Sequence, residues 1–304
     1  LVIFELLDID LAGIRLRNPL MLASGVVGSN PSMYLRIWQS GIGGIVTKTY
    51  TVERRESYQT PIITAVRCGY LNAVGLENPG KDDISQTVEA LKAQRVPTIV
   101  SITGKNLSEF LLLASIAYSA GADAVELNLS CPHVRNLGLE IGLNRELVIK
   151  IVREIKNDVG IRVFPKLGYH PYIVETAKLI ELAGADAVVI MNTIRGMKID
   201  IWLEKPVLSN KYGGLSGPAI HPIAVASVYE AYEYLDIPII ASGGVWSWED
   251  IIEFMLAGAR AVQIGSVLAE KKYNFIRETL RKIEDFLVRN GYRHIEEIIG
   301  RAHQ

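Results

Sequence analysis

Eight short apolar runs punctuate the chain. They fall at 19–24 (PLMLAS), 43–48 (GGIVTK), 97–102 (PTIVSI), 123–130 (DAVELNLS), 161–168 (IRVFPKLG), 186–192 (DAVVIMN), 237–244 (IPIIASGG) and 260–266 (RAVQIGS). Their apolar character is continuous, as in parallel strands buried on both faces. Helix-length segments lie between them, among them 30–41, 106–121, 144–158, 171–184 and 248–258. The first starts at an Asn-Pro and stops at Gly; the second places Glu109 three residues after Asn106, a relaxed capping box.

This rhythm predicts an α/β fold, a closed (β/α)8 TIM barrel, with a doubly wound open sheet as the rival. Residues 4–19 read as a small N-terminal hairpin capping the bottom of the barrel. The segments 49–80 and 193–217 are too long for ordinary connections. They are expected to fold over the C-terminal face, partly as small strands. No linker or low-complexity tract interrupts the pattern, so residues 1–304 read as one domain.

Composition narrows the chemistry. A net charge of -1 gives no bulk basic surface for nucleic acid. No apolar run reaches the roughly 18 residues of a membrane span. The first residues lack a signal-peptide pattern, so the chain reads as cytoplasmic. Two cysteines, Cys68 and Cys131, cannot build a disulfide scaffold or hold a four-cysteine cluster, and histidines number only five. A protein-bound metal is not expected.

In a barrel, chemistry collects where strands end. Those positions offer Ser24, Lys48, Thr49, Ser101, Asn128, Ser130, Cys131, Lys166, Asn192 and Thr193. Lysines ending apolar strands either snorkel to solvent or meet an electron-rich ligand. Asn72, Asn128 and Asn192 can donate and accept, which suits a planar heterocycle with amide-like edges. Gly243, Gly244, Gly265 and Ser266 follow the last two strands, where barrels place a phosphate cradle; tight turns alone would also use these glycines. A lone cysteine is often inert core filling; the place of Cys131 just beyond a strand, beside Asn128 and Ser130, weighs against that reading and leaves both open. Cys68 reads as having no catalytic part.

Taken together, NLSCPHV at 128–134, LNAVGLENPG at 71–80, TKT at 47–49, GGLSGPAI at 213–220, ASGGV at 241–245 and QIGS at 263–266 resemble the class 1 dihydroorotate dehydrogenases, in order and over nearly the whole chain. The class 1B catalytic subunit is the most similar branch. The resemblance implies FMN at the barrel mouth and oxidation of (S)-dihydroorotate to orotate in pyrimidine biosynthesis. It implies that Cys131 is the general base at C5, with Lys48 as a second catalytic residue touching substrate and flavin, while hydride leaves C6 for flavin N5. It further implies substrate contacts from Lys48, Asn72, Gly75, Leu76, Asn128, Asn192 and Thr193. FMN contacts would come from Ser24, Lys48, Thr49, Asn128, Lys166, Ile190, Gly217, Gly243, Gly244, Gly265 and Ser266. The family pattern has Asn after Cys-Pro; here His133 stands there, a candidate substrate contact of different shape and titration. Relatives pair as homodimers of barrels, and class 1B enzymes reach NAD through a second subunit carrying FAD and an iron–sulfur cluster. Other readings are an FMN-dependent dihydropyrimidine oxidoreductase, a phosphate-sugar isomerase or aldolase barrel, and a non-catalytic flavin-binding barrel.

Overall fold

The computed structural model describes residues 6–129 and 144–304. The chain opens with β1 (Ile9–Leu11) and β2 (Ile14–Leu16), an antiparallel hairpin. Its turn at Ala12–Gly13 lies in left-handed backbone, and Asp10 Oδ1 accepts from the Gly13 amide at 2.7 Å. Leu11 and Leu16 are fully buried while Asp10 and Arg15 face solvent, the alternation of a strand with one covered face.

β3 (Leu20–Leu22) and β4 (Gly44–Val46) begin the barrel, and β5 (Ile63–Val66) and β6 (Gly69–Asn72) leave it. β7 (Thr98–Ile102), β8 (Ala124–Asn128), β9 (Arg162–Leu167) and β10 (Val188–Ile190) resume it. β11 (Ile194–Met197), β12 (Ile199–Asp200), β13 (Lys205–Pro206) and β14 (Tyr212–Ser216) leave again. β15 (Ile239–Ser242) and β16 (Ala259–Ile264) complete the ring, β16 pairing in parallel with β3. The eight parallel strands close on themselves in chain order, which excludes the open sheet.

Helices run between the strands. Pro31–Gln39 starts at Asn30, whose Oδ1 accepts from the Ser32 amide at 2.9 Å. Leu107–Ser119 starts at Asn106, which accepts from the Glu109 amide; the Glu109 carboxylate accepts from the Lys105 amide, one residue before the cap. The expected helices at 144–158, 171–184 and 248–258 appear as Arg145–Glu154 with a wider turn at Ile155–Val159, Ile173–Leu182 and Trp248–Leu256. Ile84–Lys92, His221–Tyr232 and Asn274–Arg289 are further helices that the sequence reading did not single out.

The N-terminal ends of the strands are tied by charge. Asp123, just before β8, accepts from Lys92 Nζ at 2.8 Å and from the Thr98 amide at 2.7 Å. Asp186, before β10, repeats the arrangement with Lys156 Nζ at 2.9 Å and the Val163 amide at 2.8 Å. Both lie in the same local sequence, AGADAV at 120–125 and 183–188. A third variant, AGARAV at 257–262, replaces Asp with Arg260, which donates to Glu296 Oε1 at 2.7 Å and to the Asp10 carbonyl. Arg162 Nε donates to the Ala12 carbonyl at 2.7 Å, so the hairpin seats on this end of the barrel as expected.

The two long segments meet over the opposite end. β5 and β6 form a hairpin, and β14 pairs antiparallel with both β6 and β11, giving the order β11-β14-β6-β5. Leu71, Ala73 and Leu208 are buried beneath this rim sheet as a small second core. Among the described residues no helix is long and apolar enough to cross a membrane.

Candidate active site

The strand ends and the rim sheet enclose a cavity of about 430 Å³. Ser24 follows β3, Lys48 and Thr49 follow β4, and Asn128 ends β8. Lys166 stands near the end of β9, Asn192 and Thr193 follow β10, Gly243 and Gly244 follow β15, and Gly265 and Ser266 follow β16. All of these line the cavity. Asn72, Gly75 and Leu76 reach it from the rim segment. The barrel topology therefore gathers residues from seven strand ends and from two insertions into one space.

Three of the positions that the sequence offered, Ser101, Ile190 and Gly217, are not in its lining. Ile190 is fully buried within β10, and its neighbour Met191 faces the cavity instead. Gly217 is set back behind Ser216, with φ near 99°. A Cβ on Gly217 would sit 2.6 Å from the Gly69 Cα, so glycine is needed there for close backbone packing. Ser130, Cys131 and His133 lie outside the described residues.

Polar contacts run around the barrel interior. Ser24 Oγ lies 3.0 Å from Thr49 Oγ1, which lies 2.9 Å from Ser101 Oγ. Asn128 Nδ2 donates to Thr49 Oγ1 at 3.1 Å. Ser101 Oγ approaches Glu126 Oε1 at 3.5 Å, Glu126 Oε2 accepts from Gln263 Nε2 at 2.6 Å, and Gln263 Oε1 accepts from Lys166 Nζ at 2.6 Å. Glu126 and Gln263 also line the cavity, and neither was anticipated from the sequence. The signal was present: Glu126 lies two residues before Asn128 in one strand, and a spacing of two places both on one face. The apolar background of the run hid it.

Burial shapes both lysines. It pushes the Lys166 ammonium below its usual value, with the negative charge of Glu126 pulling the other way. Burial also lowers Lys48, and Glu77 opposes that shift. Lys48 is fixed at its backbone, where its amide donates to the Tyr34 hydroxyl at 2.8 Å.

The glycine turns complete the floor. Gly244 has φ near 80°, and a Cβ there would stand 2.5 Å from the His221 amide nitrogen. Gly265 is less crowded, its nearest such contact being 3.4 Å to a Val26 methyl. The short helix Val267–Lys271 starts directly after Ser266. Away from the cavity, His221 Nε2 sits 2.9 Å from Glu253 Oε2 and 3.6 Å from Asp250 Oδ1. These three side chains lie close enough for a cation, and their contacts join the start of helix His221–Tyr232 to helix Trp248–Leu256.

The sequence profile of the dihydroorotate dehydrogenase family matches residues 6–287. The chain belongs to the dihydroorotate dehydrogenase family. A relative from Pyrococcus furiosus, named dihydroorotate dehydrogenase B (NAD(+)), catalytic subunit, is 44% identical over 299 residues, covering 97% of this chain and 98% of that one. One of the same name from Thermococcus kodakarensis is 43% identical over 299 residues, with the same coverage. A chain from Aeropyrum pernix, provisionally named dihydroorotate dehydrogenase A (fumarate), is 40% identical over 299 residues and 98% of each chain. Among dihydroorotate dehydrogenases, then, close sequence similarity spans relatives named for different electron acceptors. The resemblance drawn from the strand-end motifs agrees with this membership, and the barrel that carries them is the one the family implied.

Proposed function

We propose that the chain oxidises (S)-dihydroorotate to orotate with FMN bound in the strand-end cavity. The observation that carries this reading is the cavity's donor set. Two lysines, Lys48 and Lys166, line one space with Asn72, Asn128 and Asn192, in a chain of the dihydroorotate dehydrogenase family.

The residues fit a flavin. A cavity of about 430 Å³ falls within the roughly 300–1,000 Å³ range of cofactor pockets. Lys166 is 5% exposed and its ammonium needs an electron-rich neighbour beyond one amide oxygen. Glycine turns after β15 and β16 leave backbone amides near Ser266 for a phosphate. Ser24, Thr49, Asn128 and Lys166 would hold the ring system, and Gly243, Gly244, Gly265 and Ser266 the phosphate. When bound, FMN supplies the hydride acceptor.

The chain's own residues do the rest. Cys131 takes the proton from C5, which is acidic because it neighbours a carbonyl. A thiol with an ordinary pKa of about 8.5 serves as base when a polar pocket favours its thiolate. Negative charge grows on the carbonyl oxygen as the proton leaves, and fixed amide and ammonium donors stabilise it. Lys48, Asn72, Asn128, Asn192 and Thr193 orient the ring and its carboxylate, with Gly75, Leu76 and His133 completing the contacts. Positioning of this kind can contribute several kcal/mol, up to about 7–11 in well-oriented reactions.

The chain works as the catalytic subunit of a larger assembly, as a homodimer of barrels that passes electrons to NAD through a second subunit with FAD and an iron–sulfur cluster. Support comes from relatives named as catalytic subunits and from a cysteine count of two, too few for a four-cysteine cluster. The test is product analysis after reconstitution with FMN, comparing dihydroorotate with dihydrouracil. Orotate formation, with dihydrouracil untouched, is expected; equal turnover of both would point to a dihydropyrimidine oxidoreductase.

A further inference from the structure

Glu126 is 1% exposed, inside the barrel. An ionised carboxylate there is costly unless charge and hydrogen bonds compensate it. Its Oε2 accepts from Gln263 Nε2 at 2.6 Å, and Oε1 of the same carboxamide accepts from Lys166 Nζ at 2.6 Å. The chemistry fixes the amide's orientation. An ammonium only donates and a carboxylate only accepts, so the amide must turn oxygen to Lys166 and nitrogen to Glu126. The reverse orientation would set like against like at both ends.

The charges around Lys166 single out one partner. The titratable side chains lining the cavity, among the described residues, are Lys48, Tyr70, Glu126, Lys166 and Tyr273. Lys48 has its own opposite charge in Glu77. Glu126 is the opposite charge felt by Lys166. Strand pairing explains how they meet: β8 lies beside β9, with Asn128 opposite Lys166, and Gln263 reaches across from β16. On its other side Glu126 faces Ser101. A Ser101 proton committed to the carboxylate leaves Ser101 to accept from Thr49, and Thr49 to accept from Ser24. The carboxylate thus orders donors along both walls.

We propose that Glu126 is a positioning residue for the reaction: through the Gln263 carboxamide it supplies the counter-charge that holds Lys166 as an ammonium facing the bound cofactor. This rests on the reading of the cavity as a flavin site. It assigns the group opposite Lys166 to an electron-rich edge of the cofactor that the ammonium stabilises.

Near-isosteric substitutions separate charge from shape. Glu126→Gln removes the charge and keeps the outline. The exchange E126Q/Q263E moves the carboxylate one link nearer Lys166. FMN affinity is measured for each from mildly acid to mildly alkaline pH, together with melting of the flavin-free proteins. Glu126→Gln should weaken FMN binding about tenfold or more, the scale of one charge-assisted bond, with the loss growing as pH rises and Lys166 discharges. The exchange should restore both affinity and a flat pH profile. An E126Q protein with wild-type affinity at every pH, or an exchange as damaged as the single variant, overturns the proposal. If E126Q does not fold, K166M and E126Q/K166M decide the matter. The double variant, free of both charges, should fold and melt above K166M; melting below it overturns the proposal. Failure of the flavin reading has a different signature, since wild type would then bind no FMN while the melting comparison would stand.

Discussion

Asn72 faces Gly214 across the ladder between β6 and β14, and its side-chain Nδ2 also donates to the Gly214 carbonyl at 3.2 Å. One residue therefore joins the two long insertions and lines the cavity beneath them. The rim sheet is structural support and active-site wall at once, so damage to its pairing should appear in substrate binding.

Gly217→Ala tests this link away from the cavity. The new methyl would meet the Gly69 backbone, and the residue would be held at a φ that side chains rarely adopt. A cost of about 1–3 kcal/mol is expected. Melting should fall, and KM for dihydroorotate should rise more than kcat falls. An unchanged KM would separate the rim sheet from the site.

The opposite end of the barrel gives a contrasting case. Asp123→Ala removes the acceptor for Lys92 Nζ and the Thr98 amide. Loss of about 1–3 kcal/mol is expected, seen as a melting shift of roughly 2–4 °C per kcal/mol for a chain of this size. Turnover per folded molecule should not change, because this end of a barrel serves stability and lies opposite the strand-end cavity.

The barrel was legible because its strands are buried on both faces and read as continuous apolar runs. The same feature concealed Glu126 and Gln263, whose polarity looked like noise within such runs. The rim segments were legible as insertions from length alone. Their pairing was not, because β6 and β14 lie more than a hundred residues apart and carry mixed burial. Helix His221–Tyr232 escaped because its apolar residues surround it rather than forming one stripe. Most strand-end residues named from sequence converge on one cavity, and Ile190 and Gly217 lie beside it rather than in its lining. A motif fixes the neighbourhood, and backbone geometry then decides which residues open onto the cavity.

Lys48 should show a trade between stability and activity. Burial lowers its folded-state pKa below the usual value of about 10.5, so the unfolded chain holds that proton more tightly. The resulting penalty is present below the folded pKa. It is relieved as pH rises through that value toward the unfolded one, so stability rises with pH across the window. Lys48→Met should therefore raise the melting temperature of the flavin-free protein near neutrality, with the advantage shrinking in alkali. The same variant should slow flavin reduction by about 100-fold or more, as loss of a charge-stabilising donor does. A Lys48→Met protein that melts lower at neutral pH and gains no ground would contradict the linkage.

In the proposed reaction this barrel uses a cysteine base and a bound flavin to oxidise dihydroorotate. The most direct measurement is anaerobic stopped-flow mixing of the FMN-loaded protein with dihydroorotate, following the flavin's visible absorbance. Rapid bleaching in wild type, slowed by about 100-fold or more in Cys131→Ala, is the expected result. Bleaching at the wild-type rate in Cys131→Ala would remove the base assignment, and a loaded wild-type protein that stays oxidised would contradict the proposed reaction.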